Sequence, residues 1–131
     1  MGSDMILTRD YDLIRSIIER DDILPTFCGK SPSDEVLKNE NILYFYDENV
    51  GLFPAQLDGK ELIFHAAVPK ENRGIKAINS IKGLFKDLLG RGYTIKTKTR
   101  DFPHIKRFIN SIGFEYFGEE GNRKVYILRA L

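Results

Sequence analysis

The stretch from Val68 to Ala77, VPKENRGIKA, carries residue types that suit phosphate binding. It joins an apolar run to a segment with helical periodicity, and Gly74 lies where that helix is expected to begin. A helix N-terminus offers unpaired backbone N–H groups at the positive end of its dipole, and a glycine lets an anion approach the backbone closely. The stretch therefore indicates a phosphate-binding turn, although an ordinary strand-to-helix connection has the same composition.

Charge is distributed unevenly along the chain. The net charge is only +1, but residues 70–107 contain 11 Lys or Arg and 3 Asp or Glu, whereas the rest contains 9 and 16. This split favours an anionic ligand near the middle and a neutral or cationic partner elsewhere, although solvated helix surfaces would give the same split. A nucleic-acid partner is disfavoured, because the flanks are acidic and no aromatic residues alternate with the basic ones.

Length and composition favour a single globular domain. The 131 residues suffice for one hydrophobic core, which we expect over residues 5–131, and the Met-Gly-Ser-Asp of residues 1–4 is typical of a cloning remnant. No window approaches about 18 apolar residues, so no membrane span is expected. The one cysteine rules out an internal disulfide and favours a reducing, cytoplasmic setting.

Hydrophobic periodicity and turn residues predict the order β-α-α-β-β-β-α-β-α-β-β. Helices are expected after a cap at Asp10, around Val36, along an apolar stripe from Ile75 to Leu89, and after a cap at Asp101. We expect a loop over residues 21–30. The predicted strands are 5–8, 42–46, 50–57, 61–68, 93–100, 114–117 and 124–128.

Two features of this order define the expected sheet. The strand, helix and strand around Val68–Ala77 imply a parallel pair with a right-handed crossover, while the hairpins on either side make the sheet mixed. Pro54 cannot donate to a strand ladder, so its strand should be bulged there or lie at an edge. We therefore predict an α/β fold with α+β character, a mixed central sheet of six to seven strands flanked by about four helices.

This order resembles the GNAT superfamily of N-acyltransferases over residues 5–128. The segment ELIFHAAVPKENRGIKA, beginning at Glu61, is similar to the acyl-CoA motif of that family: a strand, an Arg/Gln-x-x-Gly-x-Gly/Ala loop and a helix. The segment IKRFINSIGFEYFG, beginning at Ile105, resembles its late helix, which ends in Gly-Phe before a strand. His65-x-x-Val68 before Arg73-Gly74 is similar to small GNAT-like proteins encoded by bacteriophages.

The resemblance implies acetyl-CoA or coenzyme A as co-substrate and no metal. Lys76 stands where the family has a second glycine, so its side chain either neutralises a phosphate or occupies the phosphate's place. The implied cofactor-binding residues are Ala67, Val68, Arg73, Gly74, Ile75, Lys76 and Ala77.

Catalytic residues are less clearly implied. The position of the family's usual catalytic tyrosine is Ile109 here, and the asparagine often found before that helix becomes Phe102. Glu61 resembles the glutamate base of histone-acetylating members, and His65 lies on the same strand face, roughly 13 Å away, within reach of a water-linked relay. Tyr126 is the third candidate. A solvated turn residue, a hydrogen-bonded core histidine and a core tyrosine are the respective structural alternatives.

Two functions stay open. The first is transfer of an acetyl group from acetyl-CoA to a primary amine of a small molecule, protein or peptide. The acidic first helices, which wall the acceptor site in the family, favour a cationic acceptor. The second is a catalytically degenerate GNAT-like protein of a phage virion or a host-interaction role, favoured by Ile109 and Lys76. The first implies a cytoplasmic protein and the second a location in a phage particle, and a homodimer is left open.

Overall fold

The computed structural model describes residues 5–27, 31–99 and 103–129. The protein has a mixed seven-stranded sheet with helices on both faces. The strands are β1 (Ile6–Leu7), β2 (Ile42–Asp47), β3 (Gly51–Asp58), β4 (Glu61–Phe64), β5 (Thr94–Thr99), β6 (Glu115–Glu120) and β7 (Arg123–Leu128). The helices are α1 (Tyr11–Ile18), α2 (Leu24–Phe27), α3 (Asp34–Leu37), α4 (Ile75–Gly90) and α5 (Pro103–Ile112), with a 3₁₀ turn at Lys70–Asn72.

The strand order is β1-β2-β3-β4-β5-β7-β6. β4 and β5 run parallel and are joined through α4, while the other neighbouring strands are antiparallel. The predicted fold class and parallel pair are therefore confirmed.

Side-chain alternation along the strands gives the sheet two different faces. The α4 face is covered by α4 and α5, and its core includes Phe53, Leu62, Phe64, Ile81, Phe85 and Ile95. The α1 face is covered over β2 and β3 by α1, and its core includes Ile14, Ile18, Tyr44, Leu52 and Ala67. The sheet thus separates two apolar layers, and any side chain of β4 or β5 belongs to one layer or the other.

The helices α1 and α4 form for local reasons that the sequence shows. Asp10 caps α1 by accepting a hydrogen bond from the Leu13 N–H at 3.2 Å. In α4, the buried stripe is Ala77, Ile81, Leu84, Phe85 and Leu88. Ile75 was expected in that stripe but is 76% exposed, because it lies in the first turn of α4, beyond the end of the core.

The predicted loop over residues 21–30 is wrong where α2 forms at Leu24–Phe27. Pro25 lies in its first turn, where a missing N–H costs no intrahelical hydrogen bond. α3 is capped by Ser33, whose hydroxyl accepts from the Val36 N–H at 3.3 Å. Ser31, two residues earlier, accepts a hydrogen bond from Arg15 at 2.7 Å.

The prediction for Pro54 is also wrong. β3 lies between β2 and β4, and Pro54 pairs with Tyr44 in an unbroken register. The Pro54 carbonyl accepts the N–H of His65 at 2.8 Å, so the missing N–H of Pro54 faces the place where regular pairing with β4 has just ended. β4 itself was expected to reach Val68 but ends at Phe64, after which Ala67 forms an isolated bridge with Leu52.

The C-terminal third agrees closely with the sequence patterns. α5 ends at Ile112 before Gly113, whose φ of 107° places it in a region that favours glycine. β6 extends to Glu120, so the turn that follows shortens to residues 121–122. The proposed Asp101 cap, the strand end at residue 100 and Phe102 lie outside the described residues. Within the described ranges, no helix is long and apolar enough to cross a membrane.

Candidate functional site

A gap opens in the sheet where β4 and β5 separate. Their parallel ladder runs from Glu61 opposite Thr94 to Phe64 opposite Thr97 and then stops. Past this point β5 continues to pair with β7, whereas the chain after Phe64 stays beside β3 through the His65-to-Pro54 hydrogen bond. At the point of separation, the Thr97 hydroxyl donates to the Phe64 carbonyl at 2.8 Å. The gap thus forms because β5 stays paired with β7 while the chain after Phe64 stays beside β3.

A cavity of about 510 Å³ lies at this gap. Its apolar wall comes from α4 and α5 and includes Ile78, Phe85, Phe108 and Ile109. Its polar wall comes from the ends of β4, β5 and β7 and from the turn before α4. The cavity therefore has the mixed lining of a small-molecule site, with an extended apolar side and a few convergent polar groups.

The turn before α4 ends in an open helix N-terminus. Gly74 is the N-cap residue, no side chain caps the helix, and its φ of 137° is accessible almost only to glycine. A Cβ added at Gly74 would meet no atom within 4 Å, so the space beside the backbone is open. The N–H groups of the first turn, including those of Ile75 and Lys76, therefore face outward at the positive end of a 16-residue helix.

The same turn is held by the connection between α1 and α2. The Asp22 carboxylate accepts the Lys70 N–H at 2.7 Å, and Arg20 pairs with Asp22 at 3.0 Å and with Glu71 at 2.9 Å. The hydrogen bonds from Arg20 and from the Lys70 N–H lower the pKa of Asp22 to about 2. Arg73 donates to the carbonyls of Val68 and Asp22, each at 3.0 Å. The basic side chain of the motif thus fixes the shape of the turn.

The seven residues implied by the motif occupy different environments. Val68, Arg73 and Gly74 line the cavity. Ala67 and Ala77 are fully buried, and Ile75 and Lys76 are exposed. Backbone groups of the turn and of the first helical turn, more than side chains, are therefore what this part of the chain can offer a ligand.

His65 lines the cavity from the α1 face and is partly buried. Burial, followed by the positive charges of Arg123 and Lys98, lowers its pKa to about 4. The imidazole is consequently neutral at physiological pH and can accept a proton. Of the three catalytic candidates, His65 is the one that lines the cavity.

The other two catalytic candidates lie elsewhere. Glu61 is at the start of β4 and forms an ion pair with Lys96 at 2.8 Å. Tyr126 is buried on the opposite, α4 face, where it pairs with Thr97 across the ladder and its ring packs edge-on against Tyr116 at 5.7 Å. The structure therefore separates both from His65.

Sequence reasoning missed the two cations beside His65. Lys98 stands on the polar side of β5 by simple alternation, but Arg123 is far away in sequence. They are brought together because β7 inserts between β5 and β6, with Lys98 opposite Val125 and Arg123 two residues earlier on the same face. No local signal marks that pairing.

The cavity lining is basic. Five cationic side chains line it and, among the described residues, no Asp or Glu does. The five are Lys70, Arg73, Lys98, Arg107 and Arg123. Four of them belong to the basic segment 70–107, which the charge pattern associated with an anionic ligand.

The acidic flank has internal partners. Asp10 caps α1, Asp22 binds Arg20 and the turn before α4, and Asp34 pairs with Arg15 at 2.6 Å. Part of the expected acidic wall is therefore used in holding the fold together. Within the described chain no group of three His, Cys, Asp or Glu is arranged to hold a metal, and the expectation of a metal-free site stays a prediction.

Comparison with known proteins defines the fold. No protein-family model and no curated protein matches the sequence. Among solved structures, the aminoglycoside acetyltransferase AAC(6′)-Ib in complex with paromomycin and acetyl-CoA superposes with a TM-score of 0.71 at 16% identity, over 94% of this chain and 90% of that one. An acetyltransferase from Thermus thermophilus gives 0.70 at 15% identity, over 98% and 99%. The spermidine/spermine N-acetyltransferase SpeG from Vibrio cholerae gives 0.63 at 12% identity, over 97% and 92%.

The chain thus has the fold of the GNAT N-acetyltransferases, as the sequence resemblance predicted. The similarity to the bacteriophage-encoded type stays a prediction. At these identities the comparison concerns the fold, and the function has to be argued from the site.

Proposed function

We propose that the protein is an N-acyltransferase that takes an acetyl group from acetyl-CoA and delivers it to a primary amine. The observation that carries this proposal is the cavity at the separation of β4 and β5, bordered by the open N-terminus of α4 and lined, within the described ranges, by five cations and no carboxylate. Solved structures with the same fold include AAC(6′)-Ib with acetyl-CoA and the Campylobacter jejuni N-acetyltransferase PseH with acetyl coenzyme A, which supports the same co-substrate here.

The cavity residues fit coenzyme A. The diphosphate would be held by the outward N–H groups of Gly74, Ile75 and Lys76, with Lys70 contributing charge. The backbone edges exposed where β4 and β5 separate offer hydrogen-bonding groups to an amide-containing arm. Ile78 and Phe108 provide an apolar wall. When bound, acetyl-CoA supplies the acetyl group as a reactive thioester.

His65 is proposed to accept the proton from the attacking amine, directly or through a water. Its low pKa keeps it neutral at physiological pH and makes it a weak base, so a proton that it accepts is passed on readily to the leaving thiolate. The transfer forms one C–N bond and breaks one C–S bond; one proton leaves the nitrogen and one reaches the sulfur, and protonated His65 can supply the second. Glu61 and Tyr126 are not needed for this step, because neither lines the cavity.

The test is a turnover assay with acetyl-CoA and a panel of amines, following release of the coenzyme A thiol and the mass of the product. His65→Gln should lower kcat by about 10²-fold or more, whereas Tyr126→Phe should leave it within about twofold. The proposal would be abandoned if no amine releases thiol and acetyl-CoA does not bind.

A second candidate function is a GNAT-like protein that has lost catalysis, in a phage virion or a host-interaction role. Ile109 presents an apolar wall where the family has its usual tyrosine, and Glu61 is engaged by Lys96. This candidate predicts binding of acetyl-CoA or a protein partner with no thiol release, so the same assay separates the two functions.

A further inference from the structure

The cations lining the cavity come from separate elements. Lys70 and Arg73 belong to the turn before α4, and Arg107 lies on α5. Lys98 and Arg123 project from β5 and β7 on the α1 face, beside His65. Lys98 and Arg123, called the strand pair below, are therefore separate from the phosphate-binding turn.

The strand pair carries an excess of positive charge. Lys98 forms an ion pair with Glu120 at 3.0 Å, and the Glu120 side chain is 67% exposed. Arg123 is partly buried, and its side chain forms no hydrogen bond or ion pair within the described part of the chain. Lys98 is thus paired with one exposed carboxylate and Arg123, among the described residues, with none, and both cations lie beside a neutral imidazole.

A guanidinium that is partly withdrawn from water without a carboxylate partner is costly, and the cost is offset when an anion binds. The planar fork of arginine matches the two oxygens of a carboxylate, and a nearby lysine adds a point charge. The chemistry that fits this corner of the cavity is therefore a carboxylate.

We propose that Lys98 and Arg123 bind a carboxylate on the acyl acceptor, so that the acceptor is an amino acid or a similar amine bearing an acidic group. This proposal rests on the proposed acyltransferase function and names its substrate class. Binding the carboxylate at the strand pair would hold the acceptor amine on the same sheet face as His65. It departs from the cationic acceptor suggested by the acidic flank, several of whose carboxylates are already paired internally.

The first test is a binding measurement that needs no turnover. N-Acetylleucine and its neutral counterpart N-acetylleucinamide are titrated calorimetrically against the wild type, Arg123→Gln and the matched control Arg91→Gln. Arg91 pairs with Asp87 at the end of α4 and does not line the cavity. The acid should bind wild type and control at least tenfold more tightly than the amide, with a preference that weakens as salt is added. In Arg123→Gln the two affinities should agree within twofold.

The second test uses leucine and leucinamide as acceptors with acetyl-CoA. The wild type should favour leucine by at least tenfold in kcat/KM, Arg123→Lys should retain part of that preference, and Arg123→Gln should lose it with acetyl-CoA affinity unchanged within twofold. Weaker acetyl-CoA binding with an unchanged acid preference would show that the pair serves a phosphate and would overturn the proposal, as would a preference for the amide.

Two further outcomes keep the proposals distinguishable. If acetyl-CoA does not bind at all, the acyltransferase function fails, while the acid–amide comparison still decides whether the carboxylate site exists. If Arg123→Gln does not fold, Lys98→Gln and the salt dependence of the wild-type preference decide it: an acid preference that resists both would contradict the strand-pair site.

Discussion

The two polar ends of the cavity are built in different ways. At the turn before α4, the proposed binding groups are backbone N–H groups exposed by Gly74, and the side chains of Arg73 and Asp22 hold the turn in shape. On the α1 face, the proposed binding groups are side chains, namely His65, Lys98 and Arg123. The end at the turn before α4 depends on the backbone conformation of Gly74. The end on the α1 face depends on β4, β5 and β7 being neighbours in one sheet.

This difference predicts different tolerance to substitution. A backbone site survives changes of neighbouring side chains but not a change of backbone conformation. A side-chain site loses function with any of its members yet leaves the fold intact. Substitutions at the two ends should therefore differ in how much acetyl-CoA affinity and fold stability they cost.

Gly74→Val should weaken acetyl-CoA binding by about 10²-fold or more, because a φ of 137° is strained by roughly 1–3 kcal/mol for a residue with a Cβ and the valine side chain would cover the N–H groups. Gly90→Ala is the matched control, since Gly90 is the last residue of α4 and has open space around it. It should stabilise the fold by less than the roughly 1 kcal/mol of a helix-interior Gly-to-Ala change and leave binding unchanged. Calorimetric titration and thermal unfolding measure both. Unchanged acetyl-CoA binding in Gly74→Val would contradict the proposal that the backbone N–H groups beside Gly74 bind the phosphates.

His65 should lower the free energy of unfolding in mild acid, because its imidazole is protonated more readily in the unfolded chain than in the folded one. Its pKa is about 4 in the folded protein and near its ordinary value when unfolded, so below about pH 6.5 the unfolded chain takes up a proton that the folded chain does not. Between pH 6.5 and 4 the free energy of unfolding should therefore drop by on the order of 3 kcal/mol from this group, with no contribution above pH 6.5. His65→Gln should flatten that part of a urea-unfolding pH profile. An equally steep profile in the variant would contradict the burial of His65 near the charges of Arg123 and Lys98.

Asp22→Asn should loosen the turn before α4, because its charge-assisted bonds to Arg20 and to the Lys70 N–H weaken. We expect a loss of about 1 kcal/mol in unfolding free energy together with weaker acetyl-CoA binding. Asp21→Asn, at the exposed neighbouring position, is the control and should change neither. A stability loss without any loss of affinity would show that the turn does not need its tether to bind.

Lys76→Ala should have the smallest effect. Lys76 is exposed and does not line the cavity, so it contributes through its charge near the helix N-terminus. We expect acetyl-CoA affinity to fall about two- to fivefold. An increase in affinity would mean that the lysine obstructs the site. The titration that measures it is the same one used for the Gly74 variant.

Local sequence signals predicted the structure around the turn before α4 well. The apolar stripe of α4, the parallel pair around it and the glycine at its start follow from periodicity and from the conformational freedom of glycine. The α1-face end depends on β7 inserting beside β5, a contact between residues far apart in sequence, so Arg123 could not be placed. Glu61 and Tyr126 show the same limit: alternation gave their strand positions, but only the sheet order showed that neither reaches the cavity.

Pro54 and Ile75 show two smaller limits of pattern reading. Proline removes one hydrogen bond from a strand ladder, and here the loss falls just past the end of β4, where the His65 N–H still donates to the Pro54 carbonyl. An apolar stripe does not reveal where the core beneath it stops, which left Ile75 exposed in the first turn.

Calorimetric titration of the wild type with acetyl-CoA tests the central claim, that the gap between β4 and β5 binds acyl-CoA. We expect one site per chain with an affinity on the order of micromolar, weakened by added salt because phosphates meet a basic lining. The affinity should fall about 10²-fold or more in Gly74→Val and stay unchanged in Gly90→Ala. No binding at millimolar acetyl-CoA, or binding unaffected by Gly74→Val, would contradict it.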